Sequence, residues 1–517
     1  MAETLLALDN GTQSVRALLF DRDGKLLARS QVKFDPVYHS PEPGYAEQSA
    51  DYYWDCLVLA IRGLWEQGAR PADVVGVALT TQRGTVVPVD RDGNALRPAI
   101  TWLDQREAKR PPSLSLHWQA AFRAINATET LMHLGRQAEI NWLAENEPQT
   151  VRHMHKFLLL SGYLTHRLTG QFRDGVASQV GYIPFDFRRQ DWARSWDWKW
   201  QAMQLKREHL PELVPAGHKL GEITAATSAA TGIPQGLPLF AAGADKACEV
   251  LGSGCLDSGL GALSFGTTAT INTIRRRYVE VTPLLPPYPA PVPGHYCTEV
   301  QTLRGFWMVN WFREQFGADD VALAQQADLP VEAIFEQHLQ NTPAGNMGLM
   351  LQPYWSPGVR EPGREAKGAL IGFGDVHNRA HVYRAIVEGL MYALRESGER
   401  IEKRAKVKLQ RLRVSGGGAQ SDAVVQIAAD VFGLPVDRPH TTETSGLGAA
   451  ICAAVGLGLQ PDFRTAVARM THVGETVLPD PERQALYQQL FTRVYRPLYT
   501  QLQPLYKEIR SITGYPR

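Results

Sequence analysis

The distribution of apolar and polar residues marks out strands before anything else. Leu5-Leu6-Ala7-Leu8 is an apolar run that stops at Asp9, the polar loop Asn10-Gly11-Thr12-Gln13-Ser14 follows, and Val15 to Phe20 is apolar again apart from Arg16. Two such runs around a glycine-bearing loop predict a β-hairpin. Asp23-Gly24 supplies the next turn and Leu26 to Val32 a third strand, completing an antiparallel meander with the polar loop at its edge. Ser49 has the side chain of an N-cap, and beyond it Trp54, Leu57, Ile61 and Leu64 recur at helical spacing. Val74 to Thr80 reads as a buried strand that delivers Thr81-Gln82-Arg83-Gly84 to its C-terminal end; a hairpin at Asp92-Gly93 then leads to a strand over Ile100 to Arg106.

Farther along, Gln137 to Gly170 has a mostly helical pattern, and Trp192, Trp196, Trp198 and Trp200 form a cluster assigned to packing. Ile233 to Phe240 reads as a strand that passes through the small residues Ala241 to Ala244 to Asp245-Lys246. The glycine-rich connection Gly252 to Gly261 sets a domain boundary, giving domains 1–252 and 253–517. Leu263 to Ile271 then repeats the opening hairpin around Gly266-Thr267-Thr268. Pro283 to Pro293 is expected as surface loop, Gly305 to Phe316 as helix, Gly358 to Gly374 as a stretch rich in glycine and arginine, and His381 to Arg395 as helix. Arg411 to Ser415 is a strand, Gly416-Gly417-Gly418 a turn, and Ser421-Asp422 a helix start; Pro481 to Ile512 reads as a closing helix.

Length changes the picture by requiring more than one core, since 517 residues correspond to two to four domains. An apolar fraction of 44% and a charged fraction of 21% describe an ordinary globular protein rather than a disordered or fibrous one, and the strands and helices read along it place it in the α/β class. Lys and Arg number 54 against 53 for Asp and Glu, so no nucleic acid and no anionic membrane is indicated as partner. Five scattered cysteines with no C-x-x-C pair indicate neither a disulfide framework nor a zinc site, and point to a reducing cytoplasm. His153 and His155, two apart, do not share a helix face and are not read as a metal pair. No signal peptide is evident at Met1 to Thr4, and Gly446 to Leu459 is too short to span a bilayer and reads as a buried helix.

Candidate chemistry lies where strands end. The loops after Asp9 and at Gly266 offer hydroxyls and backbone N–H groups to phosphate. Asp245 follows small residues that let a substrate approach its carboxylate. The Gly416 turn, at a helix start, can meet a nucleotide's phosphates while its glycines admit a flat base. Neither G-x-G-x-x-G nor G-x-x-x-x-G-K-[ST] is present, which argues against Rossmann and P-loop sites.

Together these motifs, in this order over nearly the whole chain, resemble the FGGY carbohydrate kinases, which include glycerol kinase, xylulokinase and gluconokinase. The resemblance implies two actin-like ATPase (ribonuclease H-like) domains, each with a βββαβαβα core, closing a cleft over ATP–Mg²⁺ and a sugar. It implies that Gly11, Thr12, Gln13, Ser14 and Arg16 form the first phosphate motif, Gly266 and Thr267 the second, and Gly416, Gly417, Gly418 and Ser421 the adenosine motif. It implies Asp245 as general base, Asp9 as the residue that organises Mg²⁺, and Gln82, Arg83, Gly84, Trp102, Asp104, Asp245 and Lys246 at the sugar. Where glycerol kinases carry Gln-Arg-Glu, this chain has Gln82-Arg83-Gly84, and Lys246 stands where they carry glutamine after the base; the Met-His pair usual in xylulokinases is absent. The room left by Gly84 and the donor at Lys246 favour a substrate larger than glycerol, a ketopentose such as D-xylulose, with a polyol or a sugar acid as the alternative. From another class, the alternative is a non-catalytic actin-like nucleotide-binding module, which would not need Asp245 at the sugar end. A homodimer is compatible with this reading.

Overall fold

The structure is a computed structural model, and it describes residues 3–125, 127–257, 259–356 and 362–515. Part of the glycine- and arginine-rich stretch expected from Gly358 lies outside the described residues. The predicted meander is present as β1 (Thr4–Asn10), β2 (Ser14–Phe20) and β3 (Leu26–Lys33), with Gly11 to Gln13 as the first loop. It is extended through β4 (Val74–Thr81), β5 (Lys219–Glu222) and β6 (Pro238–Ala244) into a six-stranded sheet of order β5-β6-β4-β1-β2-β3. Strands β1, β4 and β6 run parallel, and within the meander β2 runs antiparallel to both β1 and β3.

A second sheet repeats this plan. It contains β7 (Leu260–Phe265), β8 (Ala269–Arg275), β9 (Tyr288–Pro289), β10 (Tyr296–Thr302), β11 (Arg411–Ser415), β12 (Val436–Pro439) and β13 (Val473–Val477), in the order β9-β10-β8-β7-β11-β12-β13. Here β7, β8 and β10 form the meander, and β11 and β12 add to β7 in parallel. Five strands of each sheet therefore share one order and one set of directions, the duplicated arrangement of the actin-like ATPase fold.

The helices follow the same repeat. Helix α1 (Ala50–Glu66) starts at the expected cap, where Ser49 accepts from the backbone N–H of Tyr52, and it links β3 to β4. Helix α2 (Asp245–Gly252) follows β6 directly. In the second unit, α3 (Trp307–Phe316) follows the meander, α4 (Arg379–Ala405) leads to β11, α5 (Asp422–Phe432) links β11 to β12, and α6 (Thr444–Gly456) follows β12. All seven residues of β1 are buried, with side chains on alternate faces. Leu6 and Leu8 pack with Tyr53, Leu57, Ile61 and Leu64 of α1, whereas Leu5 and Ala7 pack with Cys248 and Leu251 of α2 and Leu447 and Ile451 of α6. Each fully buried leucine contributes about 1.5–3 kcal/mol.

Helix α6 therefore covers the first sheet although it lies far beyond the glycine-rich connection in sequence. It crosses α2 at glycines. A Cβ on Gly448 would fall 2.0 Å from the Cys248 carbonyl oxygen, and one on Gly252 would fall 1.9 Å from that of Thr444. Only hydrogen at these positions permits the approach.

Several local expectations are corrected. The strand expected over Ile100 to Arg106 is limited to Ala99–Ile100, because Asp104 and Arg106 bind each other in a loop. Inside the region read as helical, Lys156–Leu159 is a strand paired antiparallel with Val86–Val89. The strand read from Ile233 begins later, at Pro238, and ends as expected in the small residues Ala241 to Ala244. The proline-rich run is not a surface loop throughout, since it contributes β9, buries Ala290 and Val292, and offers the Pro291 carbonyl to the Cys452 thiol. In the tryptophan cluster, Trp192 is buried and Trp196 is exposed. The closing helix is two helices, Pro481–Leu490 and Arg496–Thr513, joined by a π turn. No helix among the described residues is long and apolar enough to cross a membrane.

Candidate active site

Registers in the first sheet bring three sequence motifs side by side. Asn10 is opposite Thr81 in the β1–β4 pair, and Thr81 is opposite Ala244 in the β4–β6 pair. Asp9-Asn10, Gln82-Arg83 and Asp245 therefore emerge together at the carboxyl ends of adjacent parallel strands, where α/β sheets bind ligands. The Gln82 N–H extends the ladder by donating to the Asn10 carbonyl at 2.7 Å. In the second sheet Ser264 is opposite Ser415, which sets the Gly266-Thr267-Thr268 loop beside the Gly416 turn. That turn lies so close to β7 that a Cβ on Gly416, whose φ is +83°, would fall 2.9 Å from the Phe265 carbonyl carbon. Around Gly417 there is open space.

Charged side chains join the two sheet ends. On β2, just past the first loop, Arg16 lies 3.2 Å from Asp9 and 2.7 Å from Glu443, the residue preceding α6, and Glu443 also holds Arg29 at 2.9 Å. Lys246 donates to Glu249 at 2.7 Å and to the Ser264 hydroxyl at 2.5 Å, and Ser415 donates to the same Glu249 carboxylate. The Lys246 ammonium lies 3.9 Å from where a Gly266 Cβ would be, so it borders the loop between β7 and β8. Arg83 makes a two-pronged bond to Glu299 of β10, at 2.9 and 2.6 Å, and its guanidinium lies 5.1 Å from the ring centre of Tyr288 in β9.

Burial raises the Asp245 carboxyl above the ordinary aspartate range, opposed by the charges of Lys246 and Arg83. Its Oδ1 accepts from the Lys246 backbone N–H at 2.7 Å. Burial also lifts Asp9, to about 6, with Arg16 acting against the shift and Asp245 adding to it. Both carboxylate oxygens of Asp9, and both amide atoms of Asn10, are buried without a hydrogen-bond partner. A buried carboxylate at a strand end, its oxygens without hydrogen bonds and countered among the described residues by Arg16 alone at 3.2 Å, fits a residue that would hold a divalent cation. Among the described residues, no group of three or more His, Cys, Asp and Glu forms a complete metal cage.

The remaining expected residues have definite places. Thr12 accepts from the indole N–H of the half-exposed Trp102 at 2.9 Å, which ties the loop after β1 to the loop carrying Trp102. Gln13 is exposed, and the Ser14 hydroxyl accepts from Gln31 at 2.8 Å. Gly84 has φ +71°, and a Cβ there would contact Trp102 at 3.4 Å. Asp104 faces inward, accepting from the Ala46 N–H and from Arg106, and so holds the loop that carries Trp102. Ser421 caps α5 and donates to Glu336. Glu299, Tyr288, Glu443 and Glu249 were not singled out in the sequence. The only signal for them is general: cations at strand ends inside a core require carboxylates, and the sequence does not say which.

The sequence matches the models for the FGGY family of carbohydrate kinases, N-terminal domain, over residues 4–252 and C-terminal domain over residues 261–457. It is 29% identical to the uncharacterized sugar kinase YgcE of Escherichia coli (strain K12), covering 96% of this chain and 93% of that protein. It is 27% identical to a xylulose kinase of Lactococcus lactis subsp. lactis (strain IL1403), covering 96% of each chain. A solved xylulose kinase from Rhodospirillum rubrum superposes with a TM-score of 0.81 at 25% identity, covering 98% of this chain and all of that one.

Proposed function

Because the chain belongs to the FGGY family of carbohydrate kinases, and is thus a phosphotransferase with an alcohol group as acceptor, we propose that it transfers the γ-phosphoryl group of ATP to a ketopentose such as D-xylulose. The observation that carries this reading is the alignment of Asp9, Gln82-Arg83 and Asp245 on adjacent strand ends, beside the Gly266 and Gly416 turns of the second sheet. Gly84 and the absence of a carboxylate in its loop support an acceptor larger than glycerol.

In this reading the sugar hydroxyl donates to Asp245, which takes the proton as the oxygen attacks phosphorus and the bond to ADP breaks. Arg16, the Gly11 to Ser14 loop and the Gly266-Thr267 loop hold the phosphates, and the open space at Gly417 admits the adenosine. Gln82, Arg83, Trp102 and Lys246 orient the sugar, with Asp104 fixing the loop that carries Trp102. Mg²⁺ bound near Asp9 supplies charge neutralisation on the nucleotide phosphates. The domain division at 252/253 and a cytoplasmic location belong to the same reading, the latter supported by five buried, free cysteines. An ADP-release screen across pentuloses, aldonates and polyols tests it: pentulose phosphorylation should exceed that of glycerol, and glycerol as best substrate would refute the ketopentose assignment.

A further inference from the structure

The cations at the sugar end are matched by carboxylates, and the match for Arg83 comes from across the cleft. Arg83 belongs to the loop after β4, and that loop carries glycine, not an acid, at position 84. Its counter-charge is Glu299 in β10 of the second sheet, which bonds two guanidinium nitrogens at 2.9 and 2.6 Å. Only 4% of the Glu299 side chain and 22% of the Arg83 side chain are exposed, so little water screens the pair. The Tyr288 ring lies 5.1 Å from the same guanidinium. An arginine has five N–H donors, so the pairing leaves others for neutral hydroxyls. Lys246 is likewise matched by Glu249. With Asp245 ionised, three carboxylates face two cations here, and a substrate carboxylate would add to the excess.

We propose that Glu299 is a specificity-determining positioning residue: it holds Arg83 and cancels its charge, so that the sugar end accepts neutral ketoses and rejects sugar acids. The proposal rests on the ketopentose reading above. It names a residue from the second domain as a determinant of acceptor choice.

The test compares D-xylulose with D-xylonate, a carboxylate of equal carbon number, in wild type, Glu299→Gln, Glu299→Asp and the double variant Arg83→Gln/Glu299→Gln. Glu299→Gln uncovers the Arg83 charge and should shift the kcat/KM ratio about tenfold or more toward xylonate, chiefly by lowering the KM for xylonate. Glu299→Asp should restore the wild-type ratio. The double variant, with no charge to uncover, should bind xylulose more weakly yet keep the preference for it, and this holds the proposal open to test if the single variant fails to fold. An unmoved ratio in Glu299→Gln, or a shift toward xylonate in the double variant, overturns the role of Glu299 and leaves the ketopentose reading standing. A wild-type enzyme that prefers xylonate overturns both.

Discussion

At the scale of single residues, reactivity rests on carboxyls held away from water. Asp245→Asn removes the proton acceptor proposed above, and should lower turnover by roughly 10² to 10⁴-fold with nucleotide binding intact; near-normal turnover would remove Asp245 from the mechanism. Because burial raises this carboxyl while Lys246 opposes the shift, Lys246→Met should move the acidic limb of kcat/KM to higher pH. A limb that stays or moves the other way would disconnect the two. Glu139, whose Oε2 is buried without a partner, is lifted by burial to about 8. The folded protein then keeps a proton that the unfolded chain releases near pH 4.5. The stability from this group is therefore full below that pH and is lost as pH rises through about 8. The advantage of Glu139→Gln over wild type should grow across that window and then level off, on the order of a few kcal/mol; urea unfolding at several pH values would show it, and a constant difference would refute it.

At the scale of elements, what was legible in the sequence was local. The two hairpins, the Ser49 cap and the Gly416 turn are fixed by residues that make the structure themselves, so pattern and turn chemistry sufficed. Lys156–Leu159 was hidden because it is a strand only through its partner Val86–Val89, and the proline-rich run because what buries it is distant in sequence. Gly446 to Leu459 could be read as a buried helix, but nothing local indicated which sheet it covers. For the same reason the strand-end cations were visible and their carboxylates were not: Arg16 and Glu443 are 427 positions apart. The glycine crossing of α2 and α6 gives the sharpest test at this scale. Gly448→Ala forces a methyl group against the Cys248 carbonyl, which should destabilise the protein by about 1–3 kcal/mol and lower its melting temperature, whereas Gly374→Ala, whose Cβ would meet the His377 ring at an ordinary 3.7 Å, lacks that clash. Equal melting temperatures for Gly448→Ala and wild type would show that the crossing yields freely.

At the scale of the molecule, the two sheet ends are joined by Arg16 and Arg29 with Glu443, Lys246 with Ser264, and Arg83 with Glu299. Sugar and nucleotide bound together should draw the two sheet ends closer, as in kinases that complete their sites on closure. Small-angle scattering would register a smaller radius of gyration with both ligands than with either, and an unchanged radius would argue for a cleft already closed. The position of α6 also reaches into biosynthesis. About 200 residues lie between the end of α2 and the end of α6, and at 5–20 residues per second their translation takes roughly 10 to 40 s. For that time α2 alone covers the face of the first sheet bearing Leu5, Ala7 and Phe20, and the part that α6 will bury stays open, so a fragment ending at residue 252 should aggregate more readily than the whole chain.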